Sequence, residues 1–214
     1  MVFDFNSDLA QEYGIYKNES AFEIAKYMSS VNVSAGFHAG DPLSIKKALE
    51  YAKENNLAVG AHIGYPDISG FGYRNMEMDG EEIEAMVIYQ LSAISSFANT
   101  LNVEIEHVRC HGAMYEKLNT DADFARSVAT AVKKFNPWLN LIVGNPEIKE
   151  MIEKETGINC TYEVLFGDTM SVRQLREMTV VPETIHFKDL ENAKRAYDVI
   201  KPSPINYNRV KEQI

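Results

Sequence analysis

Val31-Asn32-Val33-Ser34-Ala35-Gly36-Phe37-His38-Ala39-Gly40-Asp41-Pro42 is the stretch whose reading decides the fold. Val33, Ala35 and Phe37 alternate with Asn32, Ser34 and His38, which reads as a strand with two unlike faces. Gly40-Asp41-Pro42 marks a turn, and Leu43 to Asn56 follows with a helical pattern. His38 is therefore expected where a strand runs out just before a helix. In α/β proteins that end of the sheet carries the chemistry. Val2 to Asp8, Ala58 to Gly64 and Glu106 to Gly112 repeat the design, each with Asp or His near its end.

Outward from these four strands the alternation continues. Helical patterns cover Glu19 to Ser30, Thr120 to Phe135, Pro146 to Glu155 and Asp189 to Ile200, with a short helix at Ser171 to Met178. A long helix spans Asp79 to Leu101, with Asp79 placed to cap it and Glu82 three residues on. Leu139 to Val143, Thr161 to Phe166 and Thr184 to Lys188 complete seven strands. Tyr65 to Met78 reads as a glycine-rich loop, and the stretch from Pro202 as a loose end. Alternating strands and helices imply parallel pairing through right-handed crossovers. An open sheet would need strands apolar on both faces. Here Asp4, Asn6, Asn32, Ser34, Gly36, Gly60, His107 and Arg109 make one face polar or tiny, while Phe3, Phe5, Val33, Phe37, Val59, Ile63 and Val108 make the other apolar. A barrel with a polar interior fits better. The expectation is a distorted seven-stranded parallel (β/α) barrel, TIM-barrel-like, forming one domain over residues 1–214.

With 45% hydrophobic and 24% charged residues, the composition is that of a soluble globular protein. A formal charge of −10 argues against nucleic acid as a partner. No apolar run approaches ~20 residues, so no membrane span is expected, and with a strand pattern at the N-terminus no charged-then-apolar leader is expected either. Two cysteines exclude a disulfide framework and point to the cytoplasm.

Asp8, His38, His62 and His111 each fall at the carboxyl end of a different strand and are expected on one rim. Satisfied histidines closing strands are the plainer reading for any one of them. For all four together that is less economical, because buried polar groups are costly unless paired. Carboxylate and imidazole suit hydrolysis, one holding or activating water and the other donating to a leaving group or holding an oxyanion. Asp8, His38 and His62 are also candidate ligands for a divalent metal. Arg74, in the glycine loop, suits a bidentate clamp on a carboxylate or phosphate. Arg109 points inward, either to substrate or to an ion pair with Asp4, the pair being slightly favoured. Cys110 belongs to the core and His107 is structural. No lysine is expected on the rim.

Five motifs, in order, carry a family resemblance: Asp4-Phe5-Asn6-Ser7-Asp8-Leu9, Gly36-Phe37-His38-Ala39-Gly40-Asp41-Pro42, Gly60-Ala61-His62-Ile63-Gly64-Tyr65-Pro66-Asp67, Gly70-Phe71-Gly72-Tyr73-Arg74 and His111-Gly112-Ala113-Met114-Tyr115. The chain resembles the LamB/YcsF family, the A subunits of 5-oxoprolinase. The resemblance implies a barrel related to sugar deacetylases and the ATP-dependent opening of 5-oxoproline to glutamate together with subunits B and C. Asp8, His38, His62 and His111 are then the expected catalytic residues, and Asn6, Asp41, Tyr65, Asp67, Arg74 and Arg109 the expected substrate contacts. The sequence holds no Gly-x-x-x-x-Gly-Lys-Ser/Thr phosphate loop, so ATP is expected to be consumed on the partners. The alternatives are a metal-dependent deacetylase and a non-catalytic regulatory subunit. The chain departs from the family pattern in four places. Ala10-Gln11 replaces Gly-Glu, Arg109-Cys110 replaces Lys-Pro, only Asp168 remains of a Phe-Ala-Asp-Arg segment, and His186-Phe187-Lys188-Asp189 stands for Val-His-Gly-Asp with its histidine displaced or lost.

Overall fold

The computed structural model describes residues 3–167 and 170–203. Asp168 and the stretch beyond 203 therefore lie outside the described residues. Within them, seven parallel strands close into a barrel in chain order: β1 (Asp4–Leu9), β2 (Ser30–Ser34), β3 (Ala58–Ile63), β4 (Ile105–Cys110), β5 (Asn140–Val143), β6 (Cys160–Leu165) and β7 (Thr184–His186). Closure is made by β7 on β1, with Asp4 opposite Thr184, Phe5 opposite Ile185 and Asn6 opposite His186. Around them run α1 (Ser20–Ala25), α2 (Pro42–Glu54), α3 (Gly80–Leu101), α4 (Gly112–Thr120), α5 (Ala122–Phe135), α6 (Pro146–Thr156), α7 (Val172–Glu177) and α8 (Leu190–Tyr197). None of these helices is long and apolar enough to cross a membrane.

The helix starts follow from local chemistry. Asp41 accepts from the backbone N–H groups of Leu43 and Ser44, with Pro42 in the first turn of α2. Asp79 and Glu82 form a reciprocal capping box on α3. Helix α4 was not expected from the sequence. It starts at His111, which makes no side-chain capping bond, so the usual entry signal is missing.

The strand at the head of the sequence reading is shorter than its alternation implied. β2 stops at Ser34. Gly36 and Gly40 both adopt φ +97°, a region that favours glycine. Gly36 N–H donates to Ala39 C=O at 2.8 Å, closing a turn. His38 thus folds back toward the strand end, where Nε2 lies 3.1 Å from Ser34 Oγ.

Apolar residues facing outward, including Val31, Val33, Val59, Ala61, Ile63 and Val108, join a core with Ala48 and Leu49 of α2 and Val87, Leu91 and Ile94 of α3. Fully burying each large side chain contributes ~1.5–3 kcal/mol. A second cluster of Phe3, Phe5, Ile185, Phe187, Ala193 and Ala196 seals the β7–β1 closure.

The interior is polar, buried and bonded to itself, as a dry barrel requires. Asp4 accepts from the hydroxyls of Ser29 (2.6 Å), Ser30 (2.7 Å) and Thr184 (3.1 Å). The favoured Asp4–Arg109 pair is therefore corrected: Asp4 is held by hydroxyls, and the buried anion against Arg109 is Glu163 of β6. Above Asp4, Asn32 Nδ2 donates to Asn6 Oδ1 at 2.5 Å, and His107 Nε2 lies 2.8 Å from Asn32 Oδ1. Gly60 makes room for that imidazole, since a Cβ there would lie 2.1 Å from His107 Cδ2.

Candidate active site

Asp8, near the end of β1, is the hub. Its Oδ1 accepts from Asn32 Nδ2 at 2.8 Å and lies 3.0 Å from His62 Nδ1. Its Oδ2 accepts from Gln11 Nε2 at 3.0 Å and lies 3.4 Å from His186 Nε2. Arg109 Nη1 is 3.8 Å from Oδ1. Burial pushes this carboxyl up, but His62, His186 and Arg109 outweigh it and hold Asp8 well below the usual carboxylate range. A carboxylate so held is a fixed negative charge, suited to orienting a water or an imidazole rather than to taking a proton. The Gln11 departure also gains a meaning: its amide donates to Asp8, which a glutamate carboxylate cannot do.

His38, His62 and His111 stand together beside this hub. Ring centroids are 4.0 Å apart for His38–His111, stacked nearly parallel at 12°, and 4.9 Å for His62–His111. His111 Nε2 lies 2.7 Å from Phe71 C=O. A carbonyl only accepts, so Nε2 carries the proton and Nδ1 the lone pair. His62 keeps its proton on Nδ1, facing Asp8, and presents Nε2 to Arg109 Nη1 at 3.5 Å. Burial pushes the imidazoles down: His38 falls well below the histidine range, and His62 falls although Asp8 opposes the shift. His111, lowered by burial and His62, is pushed down to about 3. All three are neutral near pH 7.

Arg109 is clamped by Glu163. Nε donates to Oε1 and Oε2 at 2.9 and 3.1 Å, and Nη2 reaches Oε1 at 2.7 Å. Its guanidinium also stacks over Tyr115, 4.7 Å from the ring centroid. Glu163 was not anticipated from the sequence. Nor was His186, whose Nδ1 lies 2.9 Å from Asn6 Oδ1. His186 thus lies inside the barrel, one residue before Phe187.

A cavity of about 270 Å³ opens on this cluster, lined among others by Ser7, Asp8, Gln11, Arg109, His111 and Lys188. Of the four expected catalytic residues, Asp8 and His111 line it, while His38 and His62 stand buried behind them. Lys188 corrects the expectation of a rim without lysine. Among the expected substrate contacts, Arg109 lines the cavity and Asn6 sits beneath it in the interior network. The other four do not line it, because each has another task. Asp41 caps α2 and accepts from Gly14 N–H. Tyr65 is buried in the core. Asp67 takes the N–H groups of Gly70 and Arg74 and pairs with the Arg74 guanidinium. Arg74, with its side chain 63% exposed, pairs with Asp67 and braces the glycine loop. That loop serves the site through its backbone, as Phe71 C=O fixes the His111 tautomer. Cys110 is in the core as expected, and burial pushes its thiol up to about 12.

A ligand atom from each of His38, His62 and His111 lies within 4.8 Å of the others, so this trio, rather than Asp8, His38 and His62, is the closest approach to a metal centre. Two features of the trio disfavour a divalent ion. His111 Nε2 is spent on a carbonyl, and the permanently charged Arg109 sits 3.5 Å from His62 Nε2, where it would oppose a second cation.

Fold and site together define a closed (β/α) barrel with a carboxylate–imidazole–guanidinium cluster at the C-terminal end of its strands. The sequence matches the LamB/YcsF family over residues 3–200, and the chain belongs to that family. It is 41% identical over 169 residues to the A subunit of 5-oxoprolinase from Pyrococcus horikoshii, covering 78% of this chain and 66% of that protein, just under two thirds. It is 36% identical over 217 residues to the corresponding 5-oxoprolinase chain of Campylobacter jejuni subsp. doylei, covering 98% and 82%. The crystal structure of the Lactam Utilization Protein from Thermus thermophilus matches with a TM-score of 0.80 at 29% identity, covering 100% of this chain and 97% of that one.

Proposed function

We propose that this chain is the A subunit of an ATP-dependent 5-oxoprolinase, carrying out the hydrolytic opening of the lactam to glutamate. The observation that carries the reading is the meeting of Asp8, Arg109 and His111 on one small cavity in a chain whose relatives bear that name. A lactam carbonyl is a poor electrophile, and ATP supplies activation by phosphorylating its oxygen on partner subunits B and C. Water, oriented by Asp8, then adds to the activated carbon. His111 Nδ1 offers the lone pair that takes the proton; burial and His62 keep this imidazole weakly basic, and the negative charge of Asp8 offsets part of that and favours the imidazolium that forms. Arg109 faces the developing oxyanion with a charge that needs no reorganisation. The carbon–nitrogen bond breaks as the ring nitrogen takes the proton, leaving an acyl phosphate that a second water hydrolyses to glutamate and inorganic phosphate. His62 and His38, behind the cavity, hold Asp8 and His111 in place.

The isolated chain is expected to release no glutamate from 5-oxoproline, with or without ATP, because its sequence lacks a triphosphate-binding loop. Mixing it with subunits B and C restores glutamate release. Glutamate made by the chain alone with ATP refutes the division of labour. Deacetylation of an acetylated sugar by the chain alone moves the site to the other reaction class.

A further inference from the structure

Two cations line the cavity, Arg109 and Lys188, together with two acids, Asp8 and Glu116. The charge of Arg109 is already met, by Glu163 on one side and Asp8 on the other. Lys188 differs. It follows β7 directly, its side chain is exposed at the mouth, and it forms no ion pair with any described residue. The neighbouring acid is committed elsewhere, since Asp189 caps α8 by accepting from Asn192 N–H and from Asn192 Nδ2. The chain carries a formal charge of −10, so its overall field repels anions, and an anionic substrate needs a local uncompensated cation to be held. The remaining walls are apolar in part, with Ile24, Phe71, Tyr73, Leu165 and Phe187. Such walls suit the methylene edge of a small ring.

We infer that Lys188 is the carboxylate-binding residue of this site, holding the ring-borne carboxylate of a small cyclic amide at the cavity mouth. In a five-membered lactam the carboxylate-bearing carbon and the carbonyl carbon flank the same nitrogen. Fixing the carboxylate at the mouth turns the carbonyl inward, toward His111 and Arg109. Lys188 then selects lactams bearing a carboxylate over the bare ring, and the inference rests on the 5-oxoproline reading.

The test is a binding titration of the full chain with 5-oxoproline and with 2-pyrrolidinone, the same ring without the carboxylate. The wild-type protein is expected to bind 5-oxoproline about tenfold or more tightly than 2-pyrrolidinone, as one charge-assisted contact provides. Lys188→Gln removes that preference and leaves 2-pyrrolidinone binding unchanged, and Lys188→Arg restores part of it. The residue is exposed, so the variants fold. A full preference for 5-oxoproline in Lys188→Gln overturns the role of Lys188 while leaving the functional reading intact. Failure of the wild type to bind 5-oxoproline overturns the inference, while glutamate release by the chain mixed with subunits B and C tests the functional reading separately.

Discussion

Glu163→Gln is expected to lower stability by about 3 kcal/mol, the lower part of the range for breaking a buried ion pair by removing one partner. Glu163 is 1% exposed and Arg109 4%. The variant leaves a guanidinium inside the barrel with only Asp8, 3.8 Å away, to oppose it. Glutamine can accept one hydrogen bond from Arg109 but not its charge. For a chain of this size the loss corresponds to a fall in melting temperature of roughly 10 °C. The double variant Arg109→Met, Glu163→Leu is expected to recover much of that stability, because it removes both charges and keeps the volume. It is not expected to recover activity, since the cation facing the oxyanion is gone. Thermal unfolding of the two variants decides the matter. If Glu163→Gln melts with the wild type, the pair does not hold the barrel together.

Asp8→Asn is expected to do the opposite, keeping the fold and losing turnover by roughly 10²-fold or more. Asparagine preserves the shape of the hub and can still accept from Asn32 or Gln11. What it removes is the negative charge that holds His62 with its proton on Nδ1 and favours the protonated form of His111. The loss should fall on kcat more than on KM, because the charge acts while a proton moves. The readout is kcat of the complex reconstituted with subunits B and C, alongside the melting temperature. Near wild-type turnover at an unchanged melting temperature takes Asp8 out of the mechanism.

The sequence carried the barrel because two periodicities were unambiguous. Period-two alternation in β1, β3 and β4 separated a polar face from an apolar one, and the Asp79–Glu82 box marked the start of α3. It also carried the convergence of Asp8, His38, His62 and His111, since parallel strands send their carboxyl ends to one side. Alternation misled at residues 35–38, where glycine dihedrals override side-chain pattern and turn His38 back on its own strand. His186 was obscured because β7 has three residues, too few to establish an inward face. The partner of Arg109 was missed for a topological reason: the closed barrel brings residues 54 apart in sequence, on β4 and β6 with β5 between them, into a hydrogen bond across its interior. An acid alternating inward with Thr161 was the available signal for Glu163. Arg74 showed the reverse problem, as its chemistry suited a ligand while Asp67, on the same loop, had already claimed it.

The central claim is that a lactam occupies the cavity where Asp8, Arg109 and His111 meet. A crystal structure of the chain with 5-oxoproline tests it most directly. The account predicts the ring in the 270 Å³ cavity, with its carboxylate on Lys188 and its carbonyl turned toward His111 and Arg109. Ordered 5-oxoproline bound elsewhere on the barrel, with this cavity holding only water, would contradict it.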